Sequence, residues 1–138
     1  MSRSGYTDDY DDDLQAGRWR AVVASATRGK RGQRFFRDLV AALDALPKKE
    51  LIQGHLEKEG SVCALGALGK HRGVNLSELD THDWDQLGEA FDVARQLAQE
   101  VMYENDDGWS NNPEGRWEHV RDWAARQIVP TEEELVQP

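Results

Sequence analysis

The residues of this chain that could do chemistry are concentrated in one basic segment. Between residues 17 and 37 the chain carries seven Lys or Arg and no acid, although the whole protein has a net charge of −9. Gly29 is expected to end a first helix, and Gly32 is expected to lie at the start of a second. A helix N-terminus offers free backbone amides, and neighbouring cations add to their attraction for anions. The pattern predicts a surface that binds phosphate or a partner, with candidate residues Arg28, Lys30, Arg31, Arg34 and Arg37.

The same segment also fits a solvated basic hinge that pairs with acids elsewhere. It lacks the Gly-x-x-x-x-Gly-Lys-Ser/Thr pattern of a nucleotide-binding loop. Residues 1–13 carry five Asp and one Arg, and such an acidic arm could cover the protein's own cations or mimic phosphate towards a basic partner. The sequence leaves these alternatives open.

The single cysteine, Cys63, is a second candidate for chemistry. A thiol at the start of a helix can have a lowered pKa, and His55 and His71 lie nearby in the sequence. Nothing in the pattern brings either imidazole to the thiol, so a small buried core residue is the favoured interpretation. An enzyme that uses Cys63 ranks last among our hypotheses, and we expect no enzymatic activity.

Asp80, His82 and Asp83, taken together with Cys63, are the residue types that bind metals. No pair among them has the spacing of a known zinc or calcium pattern. We interpret the acids as residues that cap a helix and the histidine as exposed. We therefore expect no metal and no cofactor.

A cluster of acids follows the last turns of the longest predicted helix, at Glu100, Glu104, Asp106 and Asp107. Paired carboxylates can hold magnesium or transfer protons. Because these residues continue along a polar face into a loop, we interpret them as solvated surface. Asp106 and Asp107 stay candidates for contact with a partner, together with Trp109, which lies in a polar loop where an exposed aromatic can anchor an interface.

The elements that must position these residues are mostly helices. Phe36, Leu39, Val40, Leu43 and Leu46 recur at the spacing of one helix face, which predicts a helix that Pro47 ends. The same reasoning predicts a first helix at about Leu14–Thr27, a short one near Cys63–Gly69, a long one at about Asp83–Glu104 that Asn105 terminates, and a last one that opens at Asn112 and stops at Pro130.

The segment from Lys48 to Cys63 fits either a short helix or a strand. Its apolar residues alternate only in part, and Glu57 to Gly60 is typical of a turn. We favour a small β-hairpin near residues 50–63, with Ser61–Cys63 as its return strand.

Length and composition bound the architecture. A chain of 138 residues fits one domain. We predict a mainly α, small single-domain helical bundle at residues 14–129, between a disordered acidic arm at residues 1–13 and a frayed acidic tail at residues 130–138. No apolar run approaches the roughly 18 residues that cross a bilayer, and one cysteine agrees with a reducing compartment. We therefore expect a cytoplasmic protein with no membrane association.

Several motifs resemble a family of small proteins carried by bacteriophages and prophages. The resemblance rests on the run Val-Cys-Ala-Leu-Gly-Ala-Leu at residues 62–68, on Asn105-Asp106, on Arg116-Trp117 followed by Trp123, on residues 1–6 and on the segment Trp19–Arg37. It assigns no catalytic or binding residue.

The resemblance implies a setting, a phage or prophage protein in the host bacterial cytosol. Such proteins often act stoichiometrically as inhibitors of a host protein, including anti-defence proteins of the anti-CRISPR type. The leading hypothesis is therefore an accessory protein that binds a host protein or defence complex. The alternative is a protein that binds nucleic acid or nucleotide through residues 28–37. The oligomeric state is unknown from the sequence.

Overall fold

The computed structural model describes residues 13–107, 112–131 and 134–135 of the chain. Within them it contains six α-helices and one antiparallel pair of strands. The elements are α1 (Asp13–Arg28), α2 (Lys30–Ala45), β1 (Glu57–Lys58), β2 (Ser61–Val62), α3 (Ala64–Arg72), α4 (Trp84–Phe91), α5 (Arg95–Asp106) and α6 (Pro113–Gln127), with a 3-10 turn at Leu76–Glu78 before α4. The predicted mainly α fold is confirmed.

Helix α2 forms one wall of the core, as its apolar spacing predicts. Phe35, Phe36, Leu39, Ala42 and Leu43 are buried on one face, and this face packs against α3 and α6. The ring of Phe36 meets the ring of Phe35 edge to face at 5.3 Å and that of Trp123 at 5.4 Å. Such aromatic pairs add to the free energy gained by burying apolar surface.

The predicted hairpin is confirmed, and its return strand begins at Ser61 as expected, but both strands are shorter than predicted and the first lies later in the chain. Glu57 pairs with Val62 and Lys58 with Ser61, so two residues assigned to the turn are strand residues. Glu59 and Gly60 form the turn and both have positive φ, 53° and 85°. This is the backbone of a tight two-residue hairpin turn. Residues 48–56 form no strand; Leu51 and Leu56 are buried in the core, and most of the other residues are exposed.

The long helix predicted for residues 83–104 is wrong, because the structure divides it into α4 and α5. Asp92 adopts a left-handed conformation with φ of 55°, and the amide of Val93 donates to the carbonyl of Gly88 at 3.0 Å. These features end a helix. The apolar spacing continues across the break, so periodicity alone did not reveal it.

Asn105 does not terminate a helix, which corrects a second prediction. It lies inside α5 with 1% of its surface exposed. Its Oδ1 accepts from the amide of Ala64 at 2.9 Å, and its Nδ2 donates to the carbonyl of Ile52 at 2.9 Å. A buried amide that pairs with two backbone segments joins residues 48–56 and the start of α3 to α5.

The two ends of the chain are described only in part. Of the arm predicted for residues 1–13, Asp13 is described and begins α1; the rest lies outside the described residues. In the predicted tail, the amide of Glu134 donates to Thr131 Oγ1 at 3.2 Å, as in a helix cap. No helix in the described part of the chain is long and apolar enough to cross a membrane.

Candidate interaction surface

The five predicted basic residues lie where α1 ends and α2 begins. Gly29 is the only residue between the two helices, so the sequence segment remains one continuous surface in the fold. Arg28, Lys30, Arg31 and Arg34 are exposed and Arg37 is half-buried. We call these five residues the basic corner.

Two members of the basic corner are paired with acids. Arg31 lies 3.3 Å from the carboxylate of Asp92, and both side chains remain largely exposed. Arg37 lies 3.0 Å from the carboxylate of Glu134 and donates to the carbonyl of Val129 at 3.1 Å. These contacts agree in part with the hinge interpretation, in which the segment pairs with acids from distant parts of the chain.

The other three cations of the basic corner, Arg28, Lys30 and Arg34, are differently placed. Among the described residues none of them has an acidic partner within ion-pair distance.

The ion pair of Arg31 with Asp92 does little to neutralise the corner, because an exposed pair contributes little stability and exchanges readily with water and salt. The corner therefore presents positive charge to solvent on a chain that is acidic overall.

Gly32 has a different role from the one its position suggested. Helix α2 begins at Lys30, two residues before the predicted start. A Cβ atom at Gly32 would lie 1.9 Å from the carbonyl oxygen of Ala26 and 2.8 Å from that of Thr27. The glycine thus lets the last turn of α1 pack against α2. Because the C-terminal carbonyls of a helix carry partial negative charge, an anion at this corner would be met mainly by side chains.

Two clefts lie along α1. The smaller has a volume of about 310 Å³ and is lined by Trp19, Val23, Arg28, Glu100 and Trp123 among others. The larger has a volume of about 580 Å³ and lies between α1, the start of α2 and the link from α4 to α5, with Lys30 and Arg31 at its edge. Basic residues therefore border both clefts.

The acidic candidates lie apart from the basic corner. Asp106 is half-buried at the end of α5 and accepts from Asn105 Nδ2 at 2.6 Å. Burial and the neighbouring Asp106 raise the pKa of Asp107. The larger cleft reaches Ala94 just before α5, so the length of α5, about 18 Å, lies between this edge of the cleft and Asp106. Trp109 lies outside the described residues.

Glu100 and Glu104 are not solvated, which corrects a further prediction. They are 3% and 8% exposed, because α1 and α6 cover the polar side of α5. Glu104 Oε1 lies 3.1 Å from Nε2 of His119 on α6. The burial of this acidic face depends on which helices flank α5, and the sequence of α5 carries no signal of it.

Cys63 is fully buried and caps α3, where its Sγ accepts from the amide of Gly66 at 3.4 Å. Burial raises its pKa from 9.0 to about 12, a larger effect than the hydrogen bonds that favour the thiolate. His55 and His71 are exposed. The structure thus supports the interpretation of Cys63 as a core residue.

Within the described residues no metal site is evident, and no similar protein indicates where a functional site lies. In the described ranges no three His, Cys, Asp or Glu side chains lie close enough together to hold a metal ion. Comparisons with family models, with curated proteins and with solved structures find no match.

Proposed function

We propose that the protein acts stoichiometrically, by binding a macromolecular partner through the basic corner. The observation that carries this proposal is the exposure of Arg28, Lys30 and Arg34, with no acid of the described residues paired to them. Arg28 lines the smaller cleft and Lys30 the larger. Positive charge that is not paired within the described residues attracts an acidic surface and orients it as it approaches.

The setting we propose for this activity is that of a phage or prophage accessory protein in the bacterial cytosol. Its partner would be a host protein, for example a component of a defence system, which it inhibits by occupying a surface. Support for this setting comes from the motifs that resemble small phage proteins. The basic corner adds the chemistry of the contact, because an acidic protein surface would be complementary to it.

A second candidate function, nucleic-acid binding, draws on the same cations. Several Lys and Arg residues that contact phosphates make the affinity fall steeply as salt rises. Arg28 is the last residue of α1, and Lys30 and Arg34 lie one turn apart at the start of α2, a spacing that suits contacts to a phosphate backbone. The two candidates share residues and differ in the partner that is captured.

Reversing the charge of the basic corner is expected to abolish binding. We expect the tagged wild-type protein to capture a partner from bacterial lysate, and the double variant Lys30→Glu, Arg34→Glu to capture at least about tenfold less of it. The double variant Lys48→Glu, Lys58→Glu is the matched control, because it alters the net charge equally at exposed sites away from the corner. Quantitative mass spectrometry measures the captured protein. A nuclease-treated aliquot shows whether the capture depends on nucleic acid.

Both variants should have the circular dichroism spectrum and the thermal midpoint of the wild type, because all four substituted residues are exposed. The proposal would be contradicted if the Lys30→Glu, Arg34→Glu variant still captured the partner and the Lys48→Glu, Lys58→Glu variant did not. Loss of capture on nuclease treatment would favour nucleic-acid binding.

A further inference from the structure

The larger of the two clefts has an apolar interior. Its walls come from α1 and from the link between α4 and α5, and glycine backbone closes it beside α2. Val22 on its α1 side is 39% exposed, which is unusual for a large apolar residue of this protein. The residues that matter here are Ala21, Val22, Ala26, Gly32, Val93 and Ala94. We call this cleft the α1 groove.

Positive charge borders the α1 groove at its α2 end. Lys30 and Arg31 line it, and Arg34 follows one turn later on α2. Arg31 is paired with Asp92, but the two side chains are 61% and 59% exposed. A pair so exposed is weak and can exchange its acid for one from a partner. The groove therefore places an apolar surface directly beside cations.

We infer that the α1 groove docks a protein segment in which a bulky apolar side chain stands next to acidic residues, as on an acidic amphipathic helix. This inference rests on the proposed function and specifies its partner. A volume of about 580 Å³ has room for a Leu or aromatic side chain. Nucleic acid would satisfy the cations but would leave the apolar walls in contact with water, so a protein segment fits the groove better.

The apolar contact and the charge contact have different effects. Burial of a large side chain contributes more to affinity than an exposed ion pair does. The cations instead select an acidic partner over a basic one and speed its association. Removing the apolar contact should therefore weaken binding at all salt concentrations, whereas removing a cation should weaken it mainly at low salt.

A labelled synthetic peptide tests this inference. The probe is a fluorescein-labelled, helix-forming 12-residue peptide with Glu on one face and Leu and Trp on the other; its counterpart carries Lys for Glu. By fluorescence anisotropy, the acidic peptide is expected to bind the full-length protein, and Val22→Asn is expected to weaken this binding at least tenfold. Val129→Asn is the matched control, because Val129 is 55% exposed and does not line the groove. The Lys peptide is expected not to bind.

Four results would overturn the inference: no binding of the acidic peptide at 1 mM protein, a roughly equal effect of the two asparagine variants, equal binding of the Lys peptide, or tighter binding of a dT20 oligonucleotide than of the acidic peptide. If Val22→Asn captures the cellular partner normally while the Lys30→Glu, Arg34→Glu variant does not, the proposed function stands and the groove assignment fails.

Discussion

In the native protein, Cys63 is expected to react with iodoacetamide at least about 10³-fold more slowly at pH 7 than in the urea-unfolded chain. The thiolate is the nucleophile, and a rise of the pKa from 9.0 to about 12 lowers its population by three powers of ten. Complete burial of the side chain slows the reaction further. Because the chain has one cysteine, mass spectrometry of the alkylated fraction over time reports on this residue alone.

The raised pKa also predicts how stability depends on pH. The folded thiol stays protonated up to about pH 12, whereas the unfolded thiol ionises near pH 9. The stabilising contribution of Cys63 is therefore complete below pH 9 and is lost as the pH rises from 9 towards 12. The free energies of unfolding of wild type and Cys63→Ser, measured by urea titration, should therefore converge over this range.

For the alkylation experiment, a rate in the native protein within tenfold of the rate in the unfolded chain would contradict the burial of this thiol.

Replacing Gly32 with Ala is expected to destabilise the protein by about 3 kcal/mol or more. The added Cβ atom would lie 1.9 Å from the carbonyl oxygen of Ala26, which is backbone and cannot rotate away. Helices α1 and α2 would have to separate, which would also disturb the basic corner. The free energy of unfolding from urea titration measures the effect.

Gly17→Ala is the control for this substitution. Gly17 also lies inside a helix, but a Cβ atom there would meet only the flexible end of Arg20, at 3.8 Å. Alanine in such a position is expected to stabilise by about 0.5–1 kcal/mol, because glycine loses more backbone entropy on folding. If both variants lose similar stability, the close contact between α1 and α2 is not what Gly32 provides.

Elements that depend on local signals could be predicted from the sequence. The apolar stripe of α2 and Pro113 at the start of α6 act through neighbouring residues, so the sequence predicts both helices. The break at Asp92 depends on a left-handed residue inside a continuous apolar pattern, and periodicity does not register it. The sequence predicts the hairpin and the start of its return strand, although its first strand lies nearer the turn than the alternation indicates.

Only part of the candidate interaction surface could likewise be predicted from the sequence. The basic corner is contiguous in the sequence, so the sequence alone identifies its residues. The α1 groove brings Val22 together with Val93 and Ala94, which are far apart in the chain. The burial of Glu100 likewise depends on α1 and α6 covering α5. Contacts of this kind arise from tertiary packing, which no local pattern encodes.

Hydrogen exchange of the captured complex tests the central claim most directly. The first amides of α2, at Lys30 and Arg31, have no acceptor within their own helix and belong to exposed residues, so they should exchange rapidly in the free protein and respond to a partner that covers them. Binding through the basic corner predicts slower exchange across residues 28–37 in the complex. Protection confined to the end of α5, around Asp106 and Asp107, with unchanged exchange at residues 28–37, would contradict it.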